Sequence, residues 1–273
     1  MKQALVAAVW CSLSIGVAAQ WPTYLRPSVP KAPDGTVDLN APPPRLANGK
    51  PDFSGVWESR VPTAGRFGAP ALPSLPPGGP PLATFANVEA NVKGGLPLTP
   101  WAQELRKSRM AANSQENPDA NCLPIGFMQS HTHSQPRKIV HTPDELILVS
   151  EVNYGLRHIL TDGRSLPTDD PQPWWEGYSV GTWDGDTLVV QTTGFRGDGW
   201  LDVNGTPYTE GLKLTERFRR PTYGRLEIDL TIEDEKAYTK PWTVRVNQRL
   251  TPGEQLIEFI CNENERSSKH YVK

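Results

Sequence analysis

An alternation of apolar and polar residues from Pro136 almost to the C-terminus constrains this fold most. A period of two is typical of β-strands with one buried face, because successive side chains point to opposite sides. The segments that show it lie at about 137–142, 145–152, 156–161, 177–183, 186–193, 212–220, 225–233, 242–250 and 255–263. Turn-forming pairs such as Asp184-Gly185 and Pro252-Gly253 separate them. The pattern predicts a meander of consecutive hairpins.

So many strands are not expected to remain one flat sheet. With Gly55-Val56-Trp57 as a further strand, the prediction is a mainly all-β fold, an antiparallel up-and-down β-barrel of about ten strands. The alternative is a two-sheet β-sandwich. A barrel of this size can hold one small ligand inside, so a roomy interior is expected.

The N-terminal residues 1–19 have the pattern of a signal peptide. Lys2 supplies the charged start, an apolar run follows, and small residues precede an expected cleavage site near Ala19. The mature protein is therefore expected to be secreted or periplasmic. A membrane anchor is the alternative, but the apolar run is short and contains serines, and after cleavage no stable membrane span is expected.

Two regions follow the signal peptide. Residues 20–50 form a Pro-rich extended segment, and residues 51–273 a single β-barrel domain. That domain includes a Pro-rich loop at 62–97 and one helix at 99–113, with Thr99 as its N-cap. The net charge of −2 gives no basic excess for phosphate backbones, so the expected partner is a small-molecule ligand or substrate rather than nucleic acid.

Cysteine usage predicts one disulfide. Removal of the signal peptide removes Cys11, which leaves Cys122 and Cys261 as a single possible pair in an oxidising compartment. A reactive thiol is the alternative, but neither cysteine has a neighbouring base in the sequence that would lower its pKa.

Several motifs resemble known families. The stretch Gly55-Val56-Trp57 resembles the Gly-x-Trp signature that opens lipocalin and other calycin barrels, which implies a ligand-binding barrel. A second set of motifs comprises Leu98-Thr99-Pro100-Trp101, Cys122-Leu123-Pro124, Asp162-Gly163-Arg164, residues 177–183 and 185–190, Glu216-Arg217-Phe218 and Cys261-Asn262-Glu263-Asn264. Together these motifs, which cover most of the mature chain, resemble a large family of secreted bacterial proteins of unknown function, a likeness that implies no particular activity.

Histidines are the first candidates for chemistry. His131, His133 and His141 lie close together in sequence, and His158 follows one hairpin later. If residues 131–133 are extended, His131 and His133 point to one side and bind a divalent transition metal, with His141 or His158 completing the set. The alternative is a polar surface loop followed by an ordinary strand histidine.

Carboxylates within strands are the second candidates. Glu216 is in phase with Leu214 and Phe218, so it is expected to point into the barrel, and Glu151 is a further candidate that shares a face with apolar residues. A buried acid with His158 as its proton partner suits general acid–base catalysis.

The alternative role for these acids is a structural ion pair, because buried acids must be paired or protonated. The available cations are Arg157, Arg217 and Arg245, and Arg157 is counted among the candidate catalytic residues.

Aromatic residues are the third group. They gather in or beside the two longer connections, at about 163–176 and 194–211, which are expected to meet at a barrel mouth and line an apolar pocket. The candidate ligand-binding residues are Trp174, Trp175, Tyr178, Trp183, Trp200 and Tyr208. The alternative is that these rings cap the core.

These observations favour a secreted β-barrel protein that binds a small apolar or aromatic ligand. One alternative is an enzyme of the lyase, hydratase or isomerase type that uses an in-barrel carboxylate and a histidine. A metalloenzyme built on the histidine cluster is the other.

Overall fold

The computed structural model describes residues 24–59, 79–169 and 171–263. The predicted signal peptide at 1–19 and the first part of the predicted Pro-rich loop at 62–97 lie outside the described residues. From residue 24 onward, the Pro-rich segment packs on the outside of the domain: Arg45 pairs with Asp186, and Leu39 accepts a hydrogen bond from Gly224 N–H.

The fold is mainly β, a closed barrel rather than a two-sheet sandwich. Its strands in the described residues are β1 (Gly55–Ser59), β2 (Arg137–His141), β3 (Glu145–Ser150), β4 (Leu156–Leu160), β5 (Tyr178–Asp184), β6 (Thr187–Thr193), β7 (Lys213–Thr222), β8 (Arg225–Glu233) and β9 (Trp242–Leu250). Each strand pairs with the next, and β1 pairs with β9 through Trp57 and Leu250. The ring therefore has no free edge, as expected for so many consecutive hairpins.

The prediction of an entirely antiparallel barrel is wrong at one place. Strands β4 and β5 are parallel, and only Ile159–Ser179 and Leu160–Val180 are paired between them. A closed ring with an odd number of strands requires at least one parallel pair, because directions cannot alternate all the way round. The long connection from residue 161 to 177 returns the chain to the same end and makes this pair possible.

The predicted strand at 255–263 is also absent from the described residues. With β1 paired to β9, no edge remains to receive it. The segment instead lies outside the barrel, where Ile257 N–H donates to Glu151 Oε2 at 2.9 Å. Cys261 forms the predicted disulfide with Cys122, with Cα atoms 5.6 Å apart.

The described chain contains two α-helices. Helix α1 (Pro100–Ala111) matches the prediction, and Thr99 Oγ1 accepts from Ala102 N–H as its N-cap. Helix α2 (Gly126–Thr132) was not predicted and lies against interior side chains at one end of the barrel. Among the described residues, neither helix has the length and apolar character needed to cross a membrane.

Side chains fill the middle of the barrel. Along β8, for example, every second residue from Leu226 to Ile232 is apolar and fully buried, so the inward face of this strand is continuously apolar. The fully buried side chains in the middle of the barrel include Ile159, Val190, Phe218, Ile228 and Leu230. The expectation of a roomy interior is therefore wrong, because these side chains occupy the space in which a guest would lie.

Candidate functional site

At the α2 end of the barrel, the apolar filling gives way to a buried polar cluster. Glu216 points inward from β7, as its phase with Leu214 and Phe218 predicts. Its Oε1 accepts from Arg157 Nη1 at 3.1 Å and from His131 Nε2 at 2.7 Å, and Oε2 accepts from Arg157 Nη2. Glu216 is thus held in an ion pair, and Arg157 is its cation.

The guanidinium of Arg157 also donates hydrogen bonds to two hydroxyl groups. Its Nε donates to Ser179 Oγ at 3.2 Å, and its Nη2 donates to Thr192 Oγ1 at 2.9 Å. The two other cations considered from the sequence lie elsewhere: Arg217 pairs with Asp184, and Arg245 pairs with Asp229.

Electrostatics define the protonation of this cluster. Burial alone would raise the pKa of Glu216, but the Arg157 charge and the His131 hydrogen bond lower it to about 2. Burial and the nearby Arg137 charge lower the pKa of His131 to about 3. His131 is therefore neutral, its proton is on Nε2 facing the Glu216 carboxylate, and its Nδ1 carries a lone pair.

Beside this pair lies a small space, the inner cavity, of about 10 Å³. Such a volume accommodates about one water-sized group. Its walls include polar atoms with no hydrogen-bond partner anywhere in the described chain: Ser130 Oγ, His131 Nδ1, Arg137 Nε, Arg137 Nη2 and Glu176 Oε1. Buried polar atoms are usually hydrogen-bonded, so this concentration of unsatisfied groups marks the cavity as a place for a polar guest.

Arg137 is the most buried cation on this wall, with 2% of its surface exposed. Its Nη1 donates to Ser130 O at 3.1 Å. Burial lowers the pKa of Arg137 to about 9, which still leaves the guanidinium charged at neutral pH. A charged group in this setting requires compensation by other groups.

Glu176 stands between the inner cavity and the outside. Burial raises its pKa to about 7, so it titrates near neutral pH. The next residue, Gly177, has φ +63°, and a Cβ there would lie 2.7 Å from Thr193 O. The tight turn that places Glu176 therefore requires glycine at 177.

A larger opening, the flank cleft, lies on the side of the barrel where β4 and β5 separate. Its volume is about 640 Å³, and Gly155, Arg157 and Glu176 line both it and the inner cavity. Trp174 and Tyr178 stack on its wall with ring centroids 4.4 Å apart.

The predicted aromatic set divides into two groups. Trp174, Trp175 and Tyr178 line the flank cleft. The other three do not: Trp183 stacks on Phe53 at the opposite end of the barrel, and Trp200 and Tyr208 are buried in the core. For these three residues, the alternative prediction that the rings cap the core is the better description.

The structure does not bring the predicted metal ligands together. His131 lies in a helix, so the argument from extended chain is wrong, and its side chain points into the barrel. His133 packs edge-on against Phe85, and His141 lies 3.7 Å from Asp52 at the other barrel end. In the parts of the chain that the structure describes, no group of three histidine, cysteine or acidic residues is placed to hold a metal ion.

Two predicted catalytic residues lie outside the cluster. His158 points outward from β4 and contacts Glu145 at 3.2 Å, so it cannot serve as the proton partner of Glu216. Glu151 follows the end of β3 and is covered by the C-terminal segment, where it accepts from Ile257 N–H. The histidine that meets Glu216 is His131.

The sequence patterns did not identify Arg137 and Glu176 as site residues. Arg137 has a usable signal, because it alternates in phase with Ile139 just as Glu216 does with Phe218. Glu176 has none, since its position depends on a connection of irregular conformation.

Comparisons with known proteins add no relative: no family model, curated protein or solved structure matches this chain. Function must therefore be argued from the site alone.

Proposed function

We propose that the protein binds a small aromatic molecule in the flank cleft. The supporting observation is that the flank cleft, an opening of about 640 Å³, has aromatic rings on its wall and buried polar groups at its inner end. Small-molecule sites generally combine this range of volume with a mostly apolar lining and a few convergent polar groups.

The aromatic wall is suited to stack a ring. Trp174 is 51% exposed, yet its ring is held by stacking on Tyr178, whose hydroxyl donates to Gln172 O at 2.8 Å. Trp175 is covered on one side by the guanidinium of Arg196, 4.6 Å from the ring centre. Because these contacts already restrict the two tryptophan rings, ligand binding costs little additional side-chain entropy.

The test is equilibrium binding of 2-naphthamide, a neutral aromatic probe, measured by calorimetry. Trp174→Ala removes exposed stacking surface and is expected to weaken binding by about tenfold. Trp101→Ala is the matched control, because Trp101 is 40% exposed on α1 and does not line the flank cleft. Equal affinities in the two variants, or no binding by the unaltered protein, would contradict the proposal.

A second candidate function is proton-transfer catalysis at the inner cavity. His131 Nδ1 carries a free lone pair, Glu176 titrates near neutral pH, and both line one small space. These features suit a lyase, hydratase or isomerase that uses Glu176 as general base or acid. The test is deuterium incorporation from D₂O into a panel of aromatic ketones, followed by mass spectrometry. Exchange that persists unchanged in Glu176→Gln would exclude this role.

A further inference from the structure

The inner cavity has two buried arginines on its wall, and they differ in one respect. Arg157 is neutralised by Glu216 and hydrogen-bonded to Ser179 and Thr192. Arg137 has one hydrogen bond, to Ser130 O, and its Nε and Nη2 find no partner in the described chain. Within the described residues, two charged donors therefore remain unpaired on the wall of the inner cavity.

The free donors of Arg137 have a particular arrangement. Nε and Nη2 lie on one edge of the guanidinium, and their N–H bonds are nearly parallel. This edge matches the two oxygens of a carboxylate, which is the planar anion that arginine binds in bidentate form. We propose that Arg137 binds the carboxylate of an aromatic acid whose ring lies in the flank cleft, an inference that rests on the proposed aromatic binding.

The sizes of the two spaces are consistent with this arrangement. The inner cavity, at about 10 Å³, is too small for a ring, whereas the flank cleft of about 640 Å³ accommodates one. The carboxylate therefore passes the junction that Gly155, Arg157 and Glu176 share, and its oxygens occupy the inner cavity, which Arg137 lines. Gly155, which has no side chain, lies at this junction.

The surrounding charges favour an anion only when Glu176 is protonated. His131 on α2 is neutral, Glu216 on β7 is compensated by Arg157 on β4, and Arg137 on β2 is cationic. His158, Arg164 and Arg196 on the cleft wall are partnered by Glu145, Asp162 and Asp198. Glu176 is then the carboxylate whose ionisation opposes the ligand, and burial places its pKa at about 7. Binding of the acid therefore takes up a proton and weakens as pH rises.

The experiment compares 2-naphthoate with 2-naphthamide, which differ mainly in charge, by calorimetry on the full chain. At pH 6 the acid is expected to bind at least about tenfold more tightly than the amide. Arg137→Met, which keeps the length of the side chain without its charge, should abolish this preference, so that acid and amide bind with similar affinities. Between pH 6 and pH 8, acid affinity should fall about tenfold in the unaltered protein and stay constant in Glu176→Gln.

The outcomes separate the two proposals. Equal binding of acid and amide, with both weakened by Trp174→Ala, overturns the role of Arg137 and leaves aromatic binding intact. A preference for the acid that survives Arg137→Met also overturns it, and places the anion on another cation. Binding of neither probe contradicts both proposals. Thermal unfolding of each variant verifies that the fold is retained, and Glu176→Gln tests the pH response without altering Arg137.

Discussion

His131 donates its Nε2 proton to Glu216 over 2.7 Å, at a point where both side chains are shielded from solvent. This hydrogen bond joins helix α2 to the inner face of β7. Because Arg157 holds the same carboxylate, Glu216 connects a helix and two strands at one end of the barrel. The stability of that end therefore depends on the charge of Glu216.

We expect Glu216→Gln to lower the free energy of unfolding by about 3 kcal/mol, since it leaves Arg157 buried without an anionic partner. Urea unfolding followed by tryptophan fluorescence measures this change. Asp184→Asn is the matched control: it removes the anion from an exposed pair with Arg217 and should cost under about 1 kcal/mol. Similar losses in the two variants would show that burial adds nothing to the Arg157–Glu216 pair.

Glu176 predicts a pH-dependent difference in stability. Burial raises its pKa from about 4.5 to about 7, so the folded protein binds this proton more tightly than the unfolded chain does. The stabilisation is complete below pH 4.5 and is lost as pH rises through 7. Glu176→Gln cannot ionise, so relative to the unaltered protein it should gain on the order of 3 kcal/mol between pH 4 and pH 8.

Chemical unfolding of both proteins at pH 4 and pH 8 tests this expectation. Glu216 and His131 have lowered pKa values, so their contributions are lost as pH falls, but they are present in both proteins and cancel in the difference. A difference that does not change with pH would mean that Glu176 titrates as it does in the unfolded chain.

Part of this site follows from alternation along strands. The phases of Glu216 with Phe218 and of Arg137 with Ile139 place both charged side chains inside the barrel, whatever the neighbouring strands are. The same rule fails for His131, because a seven-residue helix that begins at a glycine with positive φ has little intrinsic stability and forms through tertiary contacts. Alternation likewise carries no information on strand direction, so the parallel β4–β5 pair and the cleft beside it could not be predicted.

The disulfide gives a third prediction. Cys122 and Cys261 are separated by 139 positions, so the bond restricts a long loop of the unfolded chain. Replacing both cysteines by serine should lower the free energy of unfolding by about 3–5 kcal/mol. The measurement is urea unfolding of the double variant beside the oxidised protein.

A thiol assay provides the control for the disulfide. A chain that begins at Gln20, denatured without reductant, should show no reactive thiol, and the same chain after reduction should show both. Two reactive thiols before reduction would contradict the bond, and an unchanged unfolding free energy in the double variant would contradict its stabilising role.

Gly177 connects the backbone to the chemistry of the site, because it fixes the turn that holds Glu176. A side chain there meets both a strained backbone angle and the Thr193 carbonyl, 2.7 Å away. We expect Gly177→Ala to destabilise the protein by about 2–4 kcal/mol and to weaken aromatic binding in the flank cleft as Glu176 shifts.

Gly163→Ala is the control for the backbone contribution. Gly163 also has positive φ, at +88°, but a Cβ there would meet nothing within 4 Å. Its substitution should cost about 1 kcal/mol and leave binding unchanged. Thermal unfolding and probe binding of the two variants distinguish the cost of a positive φ from the cost of the steric contact with the Thr193 carbonyl. If both variants lose the same stability, small shifts relieve the contact with Thr193, and glycine is needed at position 177 only for its positive φ.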